Sequence, residues 1–291
     1  MELPLVVGVD GSPASDLAVD WAVHEAARHG VPLRLVYASL WERYEGALPA
    51  DDDGPPSGRT AAENILTAAT ERARRRDPDV KVSAEVVPEE AVPALLREGN
   101  NAFALVTGSR GRGDLTGLLL GSVSLALAGR AHCPVVVVRG DKADPAGPHE
   151  RILLGVDDPA SAGEAVRFAF REAEARGCVL DAVRAWRRPA HGTPEHLLMA
   201  GEPAHHLRDR ASALLDTALR DAEADHPTVR VRRATVEGPA HKVLWHRSAA
   251  ADLLVIGARR RTGHFGLQLG RVGHALLHHA ACPVVVVPER V

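Results

Sequence analysis

The sequence predicts two tandem doubly wound α/β domains, each on a five-stranded, mainly parallel sheet, arranged as a pseudo-dimer within one chain. Three observations predict it. The chain has 291 residues, enough for two domains of about 150 residues each, each with its own core. It contains a long internal duplication. Within each copy, short β-branched runs alternate with helical stretches, the pattern of βαβ units whose helices cover both faces of a parallel sheet.

The duplication is plain in three places. Val7-Gly8-Val9-Asp10 returns as Leu154-Gly155-Val156-Asp157, Val106-Thr107-Gly108 as Val255-Ile256-Gly257, and Cys133-Pro134-Val135-Val136 as Cys282-Pro283-Val284-Val285. Solenoid units repeat every 20 to 50 residues or so, and a longer period means duplicated whole domains. Residues 140–150 carry the Pro, Gly and charge of an exposed linker. The expected domains are therefore 1–140 and 150–291.

The first copy reads as follows. Leu3 to Asp10 is a nearly continuous apolar run, as in a strand buried on both faces. Ser12 is placed to cap a helix with Pro13 in its first turn, and Gly30 to stop it. Leu33 to Ala38 is a second strand. The stretch 41–58, like its counterpart 186–203, is long for a structureless connection and reads as a solvated excursion or a lid. Thr60 to Arg76 is helical, Val80 to Val87 a strand, Pro88 to Arg97 a helix and Ala102 to Thr107 a strand. After a glycine-rich loop come a helix, Leu119 to Ala131, and the last strand, Pro134 to Arg139.

That loop carries the chemistry. From Gly108 it reads Gly-Ser-Arg-Gly-Arg-Gly and continues to Gly121-Ser122-Val123, a G-x2-G-x9-G-S spacing. Glycines at 108 and 111 let backbone approach a ligand, and Gly121 and Ser122 open the next helix, where amides lack intrahelical acceptors. A helix start of this kind seats a phosphate. Across the crevice expected at the carboxyl ends of the strands, Asp10 can accept hydrogen bonds from a ribose or base.

The spacing, the Gly-Val-Asp-Gly-Ser start and the Cys-Pro-Val-Val-Val-Val end resemble the ATP-binding branch of the universal stress protein family, and the resemblance covers nearly the whole chain. It implies an adenine nucleotide alpha hydrolase-like fold with strand order 3-2-1-4-5. It also implies that the last strands, Pro134 to Arg139 and Pro283 to Pro288, pair the two domains. Carried onto this sequence, Gly8, Val9 and Asp10 would line the adenosine side and Ala38 would touch adenine. Gly108, Ser109, Arg110, Gly111, Arg112 and Gly113, with Gly121, Ser122 and Val123, would hold ribose and phosphates. The expected cofactor is ATP with its Mg²⁺. The expected role is a stress-response or regulatory nucleotide-binding module, with homodimerisation and a regulatory protein partner as further expectations.

The second copy departs from the pattern. Gly155, Asp157, Gly257 and Gly270 remain, but Arg260 stands for the second loop glycine and Arg271 for the serine. Arginines can pair with phosphates, yet lost close approach is steric, so a weak or empty second pocket is expected.

Other chemistries find less support. A net charge of −3 gives no reason to expect nucleic acid. No apolar stretch reaches the roughly 18 to 20 residues of a spanning helix, and no signal-peptide pattern opens the chain, so a cytoplasmic location with no membrane partner is expected. Three cysteines fit small apolar core residues. Asp51-Asp52-Asp53 reads as a solvated charge run. His274 and His278 read as a polar helix face, because a metal site needs a third ligand. There is no G-x-x-x-x-G-K-[ST] loop, no first-strand G-x-G-x-x-G and no G-x-S-x-G elbow. No catalytic or metal-binding residue is assigned, and any ATP hydrolysis is expected to be slow. Two alternatives stay open: a nucleotide-free interaction protein of the same fold, and an enzyme of the adenylyl-transfer or electron-transfer-flavoprotein kind.

Overall fold

The computed structural model describes residues 2–40, 58–111, 120–139, 148–188, 203–258 and 269–289. Its contacts divide the chain into two compact units, the first covering Met1–Asp141 and the second beginning at Lys142.

The first unit runs β1 (Leu5–Gly8), α1 (Pro13–His29), β2 (Leu33–Ala38), α2 (Gly58–Arg76), β3 (Val82–Val87), α3 (Ala91–Gly99), β4 (Ala104–Gly108), α4 (Ser122–Arg130) and β5 (Val135–Val138). Its strands lie in the order β3-β2-β1-β4-β5, and each neighbouring pair is parallel. The second unit runs β6 (Arg151–Gly155), α5 (Pro159–Arg176), β7 (Val179–Trp186), α6 (Ala204–Asp225), β8 (Arg230–Glu237), α7 (Ala240–Ser248), β9 (Leu253–Ala258), α8 (Arg271–His279) and β10 (Val284–Pro288). Its order, β8-β7-β6-β9-β10, repeats the same winding with parallel pairs throughout.

Local chemistry explains the elements. The Ser12 side chain accepts from the Ser15 amide, Pro13 opens α1, and Gly30 at φ 65° ends it in the left-handed conformation that glycine adopts freely. On α1 the buried Ala18, Val19, Ala22, Val23 and Ala26 follow helical spacing and face the sheet. The central strands are buried on both faces: Leu5, Val6, Val7, Leu105 and Val106 are at most 1% exposed. Their β-branched and leucine runs therefore reflect two packed layers. Arg72 of α2 binds Asp20 of α1 at 2.7 Å, fastening the outer helices together.

Boundaries moved where Pro and Glu intervened. Residues 88–90 lie outside α3, whose N-cap is Glu90, and Pro93 is tolerated because it falls in the first turn. Strand β1 stops at Gly8, so Asp10 sits in the loop beyond it, although the Val9 amide still donates to the Val36 carbonyl at 2.9 Å. Helix α4 begins at Ser122 rather than at residue 119. All three cysteines are free and buried, and burial pushes the Cys133 thiol up to about 11. No helix among the described residues is long and apolar enough to cross a membrane.

Candidate functional site

In the order β3-β2-β1-β4-β5, connections leave β1 to one side and β4 to the other, so a crevice opens between their carboxyl ends. A cavity of about 390 Å³ occupies that place in the first unit. Ten expected residues line it: Gly8, Val9, Asp10, Ala38, Gly108, Arg110, Gly111, Gly121, Ser122 and Val123. Ser109 is not among the lining residues, but its carbonyl shapes the loop, accepting the Gly121 amide at 2.7 Å. Arg112 and Gly113 lie outside the described residues, as do most of the stretch 41–58 and its counterpart.

Each polar group is held by local structure. Asp10 Oδ1 accepts the Ser12 amide at 3.0 Å, a turn that fixes the carboxyl at the end of β1. A Cβ on Gly111 would lie 2.6 Å from Asp10 Oδ2, so the glycine lets the loop lie against that carboxylate. Ser124 Oγ, buried in the first turn of α4, donates to the Gly108 carbonyl at 2.7 Å and binds the helix to the end of β4. The amides of Ser122, Val123 and Ser124 are the first of α4 and have no intrahelical acceptors.

One expectation is corrected and one is sharpened by this geometry. The Gly121 amide is engaged with Ser109, so the helix start offers its anion-facing donors from Ser122 onward. Gly108, besides lining the cavity, is a packing glycine. A Cβ there would sit 2.5 Å from the Ala14 backbone, so its absence is what lets α1 approach β4.

Sequence reasoning missed Val36, Ala91, Leu95, Thr107, Leu120 and Ser124 among the lining residues. Thr107 could have been found from register. Val7 pairs with Val106, so Thr107 follows beside Gly8, and strand alternation sends both to one face of the sheet. Apolar Val36, Ala38, Ala91 and Leu95 come from β2 and α3, whereas Gly108 comes from β4, Gly111 and Gly121 from the loop that follows it, and Ser122 and Ser124 from α4. The cavity thus has an apolar wall for a flat ring and a donor-rich wall for an anion.

In the second unit, the Asp10 equivalent Asp157 is exposed, and so is Arg271 at the start of α8. Arg260 lies outside the described residues. Ile256 stands where Thr107 is. Its Cγ2 lies 3.3 Å from where a Cβ on Gly155 would be, and its Cδ1 3.3 Å from that of Gly273, which Leu269, the counterpart of Leu120, also approaches. The rings of His274 and His278 are 4.5 Å apart, and no third His, Cys, Asp or Glu closes around them among the described residues.

The family model of the universal stress protein family matches residues 3–139 and 148–288. A universal stress protein of Mycobacterium tuberculosis H37Rv is 35% identical over 298 residues, covering 97% of this chain and 96% of the relative. A second from the same strain is 33% identical over 298 residues, covering 99% and 97%. Among solved structures, a universal stress protein from Archaeoglobus fulgidus superposes with a TM-score of 0.67 at 18% identity, covering 99% of this chain and 98% of the other.

Proposed function

The chain belongs to the universal stress protein family, and from that premise we propose that its first unit is an adenine-nucleotide-binding regulatory module, loaded with ATP and its Mg²⁺. One observation carries the reading. A cavity at the strand-order switch point combines the Asp10 carboxylate, the Val36, Ala38 and Leu95 wall, and the opening amides of α4. In this reading the adenine ring lies against the apolar wall, Asp10 accepts from the ribose, and the amides from Ser122 to Ser124 meet the phosphates.

The residues fit a nucleotide better than they fit a dedicated metal site. Asp10 is the only carboxylate among the described lining residues, so Mg²⁺ would be held by phosphate oxygens and water. The same scarcity argues for binding over turnover. Asp10 is tied to the Ser12 amide through Oδ1, and no other acidic or imidazole side chain lines the described cavity to activate water. The second unit, where Ile256 stands in place of Thr107 and lies close to Gly155 and Gly273, is proposed to bind no nucleotide.

Calorimetric titration of nucleotide-stripped protein with Mg-ATP tests this directly. One site per chain is expected, with a melting temperature that rises with ATP concentration, since a ligand bound only by the native state stabilises it. No heat and no thermal shift would leave a nucleotide-free interaction protein. Two sites per chain would restore the second unit as a binder.

A further inference from the structure

The floor of the first-unit cavity holds a polar group that the fold leaves unused. Thr107 is the penultimate residue of β4 and only 5% exposed. The residue lines the cavity, and its buried Oγ1 has no hydrogen-bond partner among the described residues. A threonine hydroxyl can donate one hydrogen bond and accept others, and burying it unpaired is unfavourable. Ser124 nearby shows the contrast, because its hydroxyl is spent on the Gly108 carbonyl at 2.7 Å.

Position within the cavity says what Thr107 faces. The apolar side chains suited to a base come from β2 and α3, whereas Thr107 is on β4, the strand that leads through Gly108 into the loop carrying Gly111 and on to Ser122 at the start of α4. The sugar–phosphate segment of a bound nucleotide belongs on that side. In the second unit Ile256 holds the same place, and its branched carbons fill the gap between Gly155 and Gly273. One position therefore leaves room and a hydroxyl in one repeat, and removes both in the other.

We propose that Thr107 is a ligand contact and a selector between the repeats: its hydroxyl hydrogen-bonds an oxygen of the sugar–phosphate segment, an inference that rests on the nucleotide-binding reading above. The hydroxyl pairs on ligand entry instead of remaining orphaned, so deleting it weakens the complex without harming the free protein. Replacing it with isoleucine closes the floor.

The experiment is titration of the full chain with Mg-ATP and with Mg-2′-deoxyATP, for wild type, Thr107→Val, Thr107→Ser and Thr107→Ile, with a melting curve of each ligand-free protein. Thr107→Val, nearly isosteric, is expected to lose about tenfold in ATP affinity, the worth of one buried hydrogen bond, with an unchanged or higher melting temperature. Thr107→Ser should stay near wild type, and Thr107→Ile should show no measurable binding. Equal losses for both nucleotides in Thr107→Val would place the hydroxyl on a phosphate or sugar oxygen other than the 2′-hydroxyl. A loss confined to ATP would place it on the ribose 2′-hydroxyl. Wild-type affinity in Thr107→Val would overturn the inference and leave nucleotide binding standing, and a lower melting temperature in that variant would make the hydroxyl a structural bond and overturn it too. Failure of the wild type to bind either nucleotide would overturn both readings together.

Discussion

The two units share a winding and differ in what their glycines are for. Gly8 and Gly155 occupy the same place, and each would drive a Cβ into a leucine of the covering helix, 2.8 Å from Leu95 in one unit and 2.7 Å from Leu244 in the other. Gly108, pressed against the Ala14 backbone, is likewise retained as Gly257. The positions that changed are of another kind. Gly111, Ser122 and Thr107 became Arg260, Arg271 and Ile256; a Cβ on Gly111 would meet the Asp10 carboxylate, and all three originals line the cavity. Duplication thus separates two constraints that coincide in a single domain. Of the glycines that both copies keep, Gly8 and Gly108 serve packing while a Cβ on Gly121 would meet nothing closer than 3.6 Å, and the three residues that the second copy lost all line the cavity.

The sharpest way to break that division is to write the second unit into the first. Gly111→Arg with Ser122→Arg is expected to lower Mg-ATP affinity by about a hundredfold or more, since a side chain at 111 displaces the Asp10 carboxylate and enters the cavity. The melting temperature of the free protein should hardly move. Reversing Arg260→Gly and Arg271→Ser should leave calorimetric stoichiometry at one per chain, because Ile256 still stands in place of Thr107, close to Gly155 and Gly273. Retained affinity in the first variant would mean that the arginines bind phosphate themselves and that the second unit is a different binder instead of a lapsed one.

Packing glycines should respond the opposite way. Gly108→Ala places a methyl 2.5 Å from main-chain atoms of Ala14, and overpacking against backbone costs about 3 kcal/mol, read as a drop in urea midpoint. Gly121→Ala is the control. Its Cβ would meet nothing closer than 3.6 Å, so only the poorer helix cap counts, about 0.5 to 1 kcal/mol. Equal costs at the two positions would erase the distinction between them.

Much of this was legible in the sequence, for stated physical reasons. The Ser12-Pro13 start and Gly30 stop of α1 are local signals that tertiary contacts had no cause to override. The buried strands announced themselves because two-sided burial leaves continuous apolar runs such as Val135 to Val138. Ten of the thirteen expected site residues meet in one cavity because the glycine spacing and the strand ends are both sequence-visible. What could not be read was the use of each glycine. Gly108 and Gly111 look alike in sequence, and only the approach of α1 to one and of Asp10 to the other tells them apart. Thr107 was hidden for another reason: it sits inside an apolar run, and its orphan hydroxyl matters only once register places it beside Gly8.

A last expected effect concerns a pair outside the cavity. In the first unit Arg34 of β2 binds Glu98 of α3 at 2.7 Å. In the second, the equivalent strand position is Asp181 and the equivalent helix position Arg247, bonded at 2.8 Å. The partners have exchanged charge while the contact stayed, which is expected if the strand-to-helix ion pair matters and its polarity does not. Arg34→Asp alone would bring a new carboxylate toward Glu98 and Glu85 and is expected to cost about 1 to 2 kcal/mol, tempered because Arg34 is partly exposed. Adding Glu98→Arg should recover most of that loss. About 0.5 kcal/mol should remain, because Glu85, which bonds Arg34 at 2.6 Å, has no equivalent acid in the second unit, where Ala234 stands. A double-mutant cycle in urea reads the coupling directly. Strong recovery would make the pair a shared structural feature indifferent to sign, whereas no recovery would mean that each unit has adapted its surroundings to one polarity.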